Sequence, residues 1–99
     1  MLLIKRQYFE AIRAGTKTTT LRYWRWARVR PGSVHKVPGL GLVRIDIVQF
    51  ASEARLTDSD ARADGFVSLD DLLRALRQMY PPQSRNGRRL YHVHFTYLR

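Results

Sequence analysis

The chain has 99 residues and a formal net charge of +10 at pH 7, which arises from 18 Lys and Arg against 8 Asp and Glu. This length suits one domain spanning residues 1–99, and the charge favours a polyanionic partner, with nucleic acid as the first candidate. The absence of cysteine excludes disulfide scaffolds, zinc sites with cysteine ligands and cysteine nucleophiles.

The first apolar residues, at positions 2–4, are predicted to be buried, either as an opening strand or as the approach to a helix. Neither this run nor any other reaches the length of a signal peptide or a membrane span, so we expect a cytoplasmic protein without membrane attachment. Apolar side chains at helical spacing predict a short first helix over residues 7–14. This helix should end at Gly15, which suits a left-handed cap.

The next segments favour extended structure. The β-branched stretch 16–22 is predicted to leave the helix by a turn and to enter a strand. Residues 23–30 alternate aromatic residues with arginines, a pattern that fits either a strand or an extended loop, and Pro31 and Gly32 indicate a turn. A short strand is expected over 33–37. The alternation of apolar and polar residues over 43–48 predicts a half-buried strand.

Two helical segments and one strand complete the chain. Thr57 can cap a short helical turn through residue 63, and a second helix should begin after Ser68 and end before Pro81. Residues 83–89 are predicted to form a turn or mobile loop, and residues 90–98 a closing strand. This order of elements indicates an α+β domain built on a small curved sheet or barrel with two flanking helices.

The segment 9–22 resembles the opening motif of ASCH domains, in which a helix ends in Gly and is followed by Lys-Thr and a Thr-x-Arg strand. Three further segments, 31–32, 64–66 and 91–95, occur in the order found in such domains, so the resemblance covers nearly the whole chain. It implies a PUA-like β-barrel with helices at its flanks and a cleft beside Lys17.

Within this superfamily, the sequence is particularly similar to compact bacterial enzymes that hydrolyse N4-acetylcytidine to cytidine and acetate. Lys17 and Thr20 match the spacing of the catalytic Lys and Thr in these enzymes, and Arg22 follows two residues later. Asp64 stands where those enzymes carry Glu. The resemblance therefore implies a catalytic set of Lys17, Thr20 and Asp64, although the same Lys and Thr could instead shape a turn and contact phosphate.

Other ASCH proteins are described as RNA binders and at least one as a ribonuclease, so the fold does not choose among these functions. The high positive charge makes RNA binding our leading hypothesis. Hydrolysis of a modified cytidine nucleoside is the alternative, and metal-independent cleavage of RNA is the third possibility. No cofactor is expected for any of them.

Two groups of residues are candidates for contact with RNA or with a nucleoside substrate. Arginines would track phosphates and an exposed tryptophan would stack on an unpaired base. Tryptophans buried in the core and a merely solvated arginine face are the alternative interpretation. The candidates are Arg22, Trp24, Arg25, Trp26, Arg28 and Arg30 in the first group, and Arg85, Arg88 and Arg89 in the second. His92 and His94 have a spacing that can bind metal, but no third ligand accompanies them, so we predict no metal site.

Overall fold

The two strands with the clearest sequence patterns form the centre of the sheet. A computed structural model describes residues 2–99. Its sheet has the order β1-β4-β3-β2, and all neighbouring strands are antiparallel. The strands are β1 (Thr19–Trp24), β2 (Val34–Val37), β3 (Gly41–Phe50) and β4 (Arg89–Tyr97). The segment 23–30, for which a strand or a loop was expected, is a strand only as far as Trp24, and a loop leads from there to β2.

The sheet is not closed into the predicted barrel. Within residues 2–99, β1 pairs only with β4 and β2 only with β3, so these two strands form opposite edges. A register shift between Ile45 and Ile47 interrupts the pairing of β3 with β4, but the edge strands do not pair. The segment before the first helix packs beside β1 instead, where the Arg22 guanidinium donates a hydrogen bond to the carbonyl oxygen of Leu3. The fold class is therefore α+β with an open antiparallel sheet.

Three α-helices are present where two were predicted. They are α1 (Phe9–Arg13), α2 (Asp58–Ala63) and α3 (Leu69–Met79), and short 3-10 helices cover Arg6–Tyr8, Glu53–Arg55 and Pro82–Arg85. The segment expected to be a helical turn is a full helix because Thr57 and Asp60 cap each other. Thr57 Oγ1 accepts from the Asp60 backbone N–H at 3.1 Å, and an Asp60 carboxylate oxygen accepts from the Thr57 N–H at 2.9 Å.

Apolar side chains pack on both faces of the sheet. Alternate residues of β4 point to opposite faces, so Val93 joins one hydrophobic cluster with α1, and Leu90 joins another with α2 and α3. The prediction that residues 2–4 are all buried is wrong for Leu3. Leu2 belongs to the first cluster and Ile4 packs against it, whereas Leu3 is 68% exposed, as expected when successive side chains of an extended segment point to opposite sides. None of the helices in residues 2–99 has the length and apolar character needed to cross a membrane.

Candidate functional site

The turn after α1 brings Lys17 to the end of α2. Gly15 adopts a left-handed φ of 78°, which turns the chain out of the helix, and the Lys17 N–H bonds the carbonyl oxygen of Ala11 at 3.1 Å. The Thr18 N–H then bonds the carbonyl oxygen of Ala63 at 2.8 Å. Two segments that are 45 residues apart are thereby held together, and the residue that follows Ala63 lies next to the Lys17 side chain.

That residue is Asp64, which contacts Lys17 directly and shares the lining of one pocket with Thr20. Lys17 Nζ donates to the Asp64 backbone carbonyl oxygen at 2.6 Å and lies 3.5 Å from Asp64 Oδ1. Thr19 Oγ1 donates to the same carboxylate oxygen at 3.1 Å. Arg22 Nε donates to Thr20 Oγ1 at 2.9 Å. Lys17, Thr20 and Asp64 are each at most 6% exposed, so this polar group is held within the protein.

These side chains border a pocket of about 290 Å³. Its walls are largely apolar and aromatic, and Lys17 Nζ lies 4.8 Å from the centroid of the Tyr8 ring, in cation–π contact. The pocket is lined by Leu3, Ile4, Lys5, Tyr8, Lys17, Thr20, Leu21, Arg22, Asp64, Phe66, Met79 and Tyr80. An apolar pocket with a few convergent polar groups is the usual form of a small-molecule site.

Burial shifts the proton affinities of the two charged groups toward each other. Loss of water raises the pKa of Asp64 from 3.8 to about 6, although Lys17 and the Thr19 hydroxyl act against this rise. Loss of water also lowers the pKa of Lys17, with a further decrease from Arg22, while Asp64 acts in the opposite direction. Both groups are thus shifted toward the range in which proton exchange near neutral pH is possible.

The arrangement has the parts that acyl transfer requires. The Thr20 hydroxyl is a candidate nucleophile, and the Arg22 cation that donates to it favours its ionised form. Asp64 and Lys17 can take up and return a proton. A binding role uses the same groups as donors and acceptors for the edge of a base, and the apolar walls as contacts for its faces.

The sheet unites the two predicted groups of RNA-contacting residues. In the pairing of β1 with β4, Trp24 lies opposite Arg89, so the segments 24–30 and 85–89 meet at one end of the sheet. The Arg25 guanidinium lies beside Gly87, close enough that a Cβ added there would be 3.1 Å from Arg25 Nη1. The arginines exposed in these segments are Arg25, Arg28, Arg30, Arg88 and Arg89.

The two tryptophans occupy different environments. Trp24 is half-buried, and its ring centroid lies 5.5 Å from that of Tyr91. Trp26 is 66% exposed and is available for contact with a ligand. One tryptophan therefore packs against the core and the other faces solvent.

Arg85 is separated from the other candidate arginines by its contacts. Its guanidinium forms an ion pair with Glu53 at 2.7 Å, donates to the carbonyl oxygen of Tyr80 at 2.7 Å and lies 4.6 Å from the Tyr23 ring centroid. These partners hold the loop after α3 against the sheet. These contacts give Arg85 a structural role in this loop that the exposed candidate arginines do not have.

Several residues of the site were not identified from the sequence. Tyr8 and Phe66 line the pocket, but in the sequence they are indistinguishable from core aromatics.

The two histidines of β4 lie next to each other. His92 and His94 have ring centroids 4.5 Å apart, and burial lowers the pKa of His92. Across residues 2–99, no group of three or more His, Asp or Glu side chains is arranged to hold a metal ion.

Comparison with known proteins gives matches in structure only. No protein-family model matches the sequence, and no curated protein matches it. The structure of hypothetical protein PH0355 has a TM-score of 0.79 at 17% identity, over 97% of this chain and 95% of that one. The ASCH domain from Lactobacillus crispatus JV V101 has a TM-score of 0.75 at 17% identity, over 89% of this chain and 68% of that one.

A third structure, protein EF3133 from Enterococcus faecalis V583, has a TM-score of 0.67 at 16% identity, over 91% of this chain and 69% of that one. At these identities the similarity concerns the fold. It confirms at that level the resemblance drawn from the segment 9–22. The chain has the fold of an ASCH domain.

Proposed function

We propose that this chain is an ASCH-domain protein that binds RNA and accepts one unpaired base in the pocket beside Lys17. The observation that carries the proposal is the position of β1, which lines the pocket with Thr20–Arg22 and then continues into the exposed arginine segment. A ligand seated in the pocket would thus have its backbone next to a basic surface. The volume of about 290 Å³ lies at the lower end of small-molecule sites and suits a base or a nucleoside.

The charge distribution supports a polyanionic ligand. The net charge of +10 includes five exposed arginines in the two segments that meet where β1 ends and β4 begins. Arginine guanidinium groups bind phosphate oxygens in a bidentate manner, and each phosphate neutralised releases counterions. Affinity should therefore fall steeply with salt.

The first experiment measures affinity for a single-stranded oligoribonucleotide over a series of salt concentrations. We expect log K to fall linearly with log salt, and Arg28→Gln and Arg30→Gln each to reduce the slope by roughly 1 if that side chain contacts one phosphate. Arg77→Gln, at an exposed position on α3, is the matched control and should keep the slope of the unmodified protein. A flat salt response, or no binding of RNA, would contradict the proposal.

A second function, hydrolysis of N4-acetylcytidine to cytidine and acetate, is favoured by the perturbed pKa values of Lys17 and Asp64. Hydrolysis of an acyl amide needs a nucleophile, a group that moves a proton and a donor for the oxyanion. Thr20, the Lys17–Asp64 pair and Arg22 line one pocket and are candidates for these parts. Asp64, although shorter than Glu, reaches Lys17 and Thr19 from its position after α2.

Incubation of the protein with N4-acetylcytidine, followed by chromatography, tests this second function. We expect cytidine to form with the unmodified protein and not with Thr20→Val, which keeps the shape of the side chain but lacks the hydroxyl. Thr18→Val, at an exposed position in the same segment, should retain activity. Equal activity of Thr20→Val would rule out Thr20 as the nucleophile, and equal activity of Lys17→Ala as well would assign the cytidine to a contaminant. Intact RNA recovered after prolonged incubation with the protein would exclude ribonuclease activity.

A further inference from the structure

A row of aromatic rings crosses three strands beyond the pocket. The Tyr91 ring centroid on β4 lies 5.0 Å from that of Phe50 on β3 and 5.5 Å from that of Trp24 on β1. Pairing places Phe50 directly opposite Tyr91, and Trp24, which pairs with Arg89, lies diagonally across from Tyr91. Tyr91 in the centre is buried, whereas Phe50 at the end is 54% exposed. We call these three rings the aromatic row.

The exposed end of the row carries an arginine. The Arg89 guanidinium carbon lies 3.5 Å from the centroid of the Phe50 ring, which is stacking distance. Arg89 is exposed and has none of the ion-pair partners that hold Arg85. A planar cation stacked on an exposed ring is itself a flat surface on which a nucleobase can stack, as bases do on aromatic rings and on arginine planes.

The pocket lies at the free edge of the sheet beside β1, and two of its polar residues share a face with the aromatic row. Alternate residues of β1 share a face, so Thr20 and Arg22 at the pocket point to the same side as Trp24 in the row. The distance along β1 from Thr20 to Trp24 is about 13 Å at the usual rise of a strand. Phe50 on β3 lies two strand spacings, or roughly 10 Å, farther across the sheet, a span that a few nucleotides of an extended strand can cover.

We propose that the Phe50–Arg89 stack holds a second unpaired base of the RNA strand whose first base enters the pocket, so the ligand is single-stranded. This inference rests on the proposed RNA binding and adds to it the class of RNA and the residues that select it. The bases of a duplex are paired and stacked on one another, and their faces are not free to stack on Phe50 or Arg89. The row therefore distinguishes a single strand from a duplex, whereas the surrounding arginines do not.

The test compares two strands of equal length, an oligouridine and an abasic oligoribonucleotide that keeps the phosphates and lacks the bases. We expect Phe50→Leu to weaken binding of oligouridine about 5- to 150-fold, which corresponds to roughly 1 to 3 kcal/mol of stacking, and to leave the abasic strand unaffected. Ile47→Leu is the matched control. Ile47 is an exposed apolar residue of the same strand, but it pairs with His94 and therefore faces the other side of the sheet.

Arg89→Lys separates stacking from charge. It keeps the positive charge but lacks the planar guanidinium, so it should weaken binding of oligouridine and keep the salt dependence of the unmodified protein. If Phe50→Leu and Arg89→Lys bind oligouridine as tightly as the unmodified protein does, the second base site is refuted while RNA binding stands. If the unmodified protein binds neither strand, RNA binding fails as well. Tighter binding of a duplex than of oligouridine also overturns the inference.

Discussion

We expect the free energy of unfolding of Lys17→Met to fall as the pH rises above about 6. The unmodified protein should show no such fall in this range. Methionine keeps a long unbranched side chain and removes the cation beside Asp64. In the unmodified protein, burial raises the pKa of Asp64 from 3.8 to about 6 even though the Lys17 charge acts to lower it. Without that charge the pKa of Asp64 must rise above 6.

The sign and size of the effect follow from proton binding. Between pH 3.8 and about 6, the folded state of the unmodified protein holds the Asp64 proton more tightly than the unfolded state, so the free energy of unfolding falls as the pH rises. Above about pH 6 the carboxyl is ionised in both states and this decline ends. In Lys17→Met the decline continues at up to about 1.4 kcal/mol per pH unit, toward a total cost on the order of 3 to 5 kcal/mol.

The lowered pKa of Lys17 also increases the difference in stability between the two proteins. In the unmodified protein the unfolded state binds the Lys17 proton more tightly than the folded state. The free energy of unfolding therefore rises with pH between the pKa of Lys17 in the folded state and its higher pKa in the unfolded state. The variant lacks that rise. Both effects lower the stability of the variant relative to the unmodified protein as the pH rises, and the Asp64 effect begins near pH 6.

Urea unfolding followed by tryptophan fluorescence at intervals from pH 5 to pH 8 measures this divergence. The double variant Lys17→Met/Asp64→Asn is the control, because it lacks both titrating groups and should show neither slope. Parallel curves for Lys17→Met and the unmodified protein above pH 6 would refute the reasoning, since they would show that the Asp64 carboxylate is solvated and not buried beside Lys17.

Three further changes test other parts of the structure by thermal or urea unfolding. Gly41→Ala should lower the free energy of unfolding by several kcal/mol. Gly41 has a φ of 132°, and an added Cβ would lie 2.1 Å from the carbonyl oxygen of Arg99. A loss below about 1 kcal/mol would contradict this close approach. Arg85→Met should cost roughly 3 kcal/mol at pH 7, because it leaves Glu53 half-buried without its cation; an unchanged free energy of unfolding would show that this ion pair is solvated. Burial lowers the pKa of His92, and its Nε2 is buried without a partner, so the unmodified protein should lose stability as the pH falls below 6.5. His92→Leu should remove this loss. An unchanged pH dependence would show that His92 is solvated.

The central elements of the fold are predictable because their signals are local. β3 shows its strand period in the alternation of apolar and polar residues, and α3 is bounded by a capping serine and by Pro81 within its own segment. The closing strand β4 carries aromatic and apolar residues at every second position. The clustering of Lys17, Thr20 and Asp64 came from the resemblance to ASCH domains, since nothing local joins residues 17 and 64.

The incorrect or missing predictions concern contacts between distant segments. The barrel was wrong because closure depends on whether β1 and β2 pair, and strand patterns do not specify which edges meet. Arg85 resembles a solvated loop residue, and its partner Glu53 lies 32 positions earlier without any shared periodicity. Phe50 and Arg89 are likewise 39 positions apart, so their stack becomes visible only once β3 and β4 are paired.

The buried Lys17–Asp64 pair separates the two proposed functions. A buried ion pair is weak evidence for stability, because the cost of removing two charges from water can exceed their attraction. A base-binding pocket needs only hydrogen-bonding groups, which neutral side chains could supply at lower cost. Hydrolysis needs a group that changes its proton near the working pH, which is what burial of Asp64 provides. Loss of Lys17 should therefore abolish hydrolysis, whereas the salt dependence of RNA binding should stay unchanged because the arginines that face solvent remain.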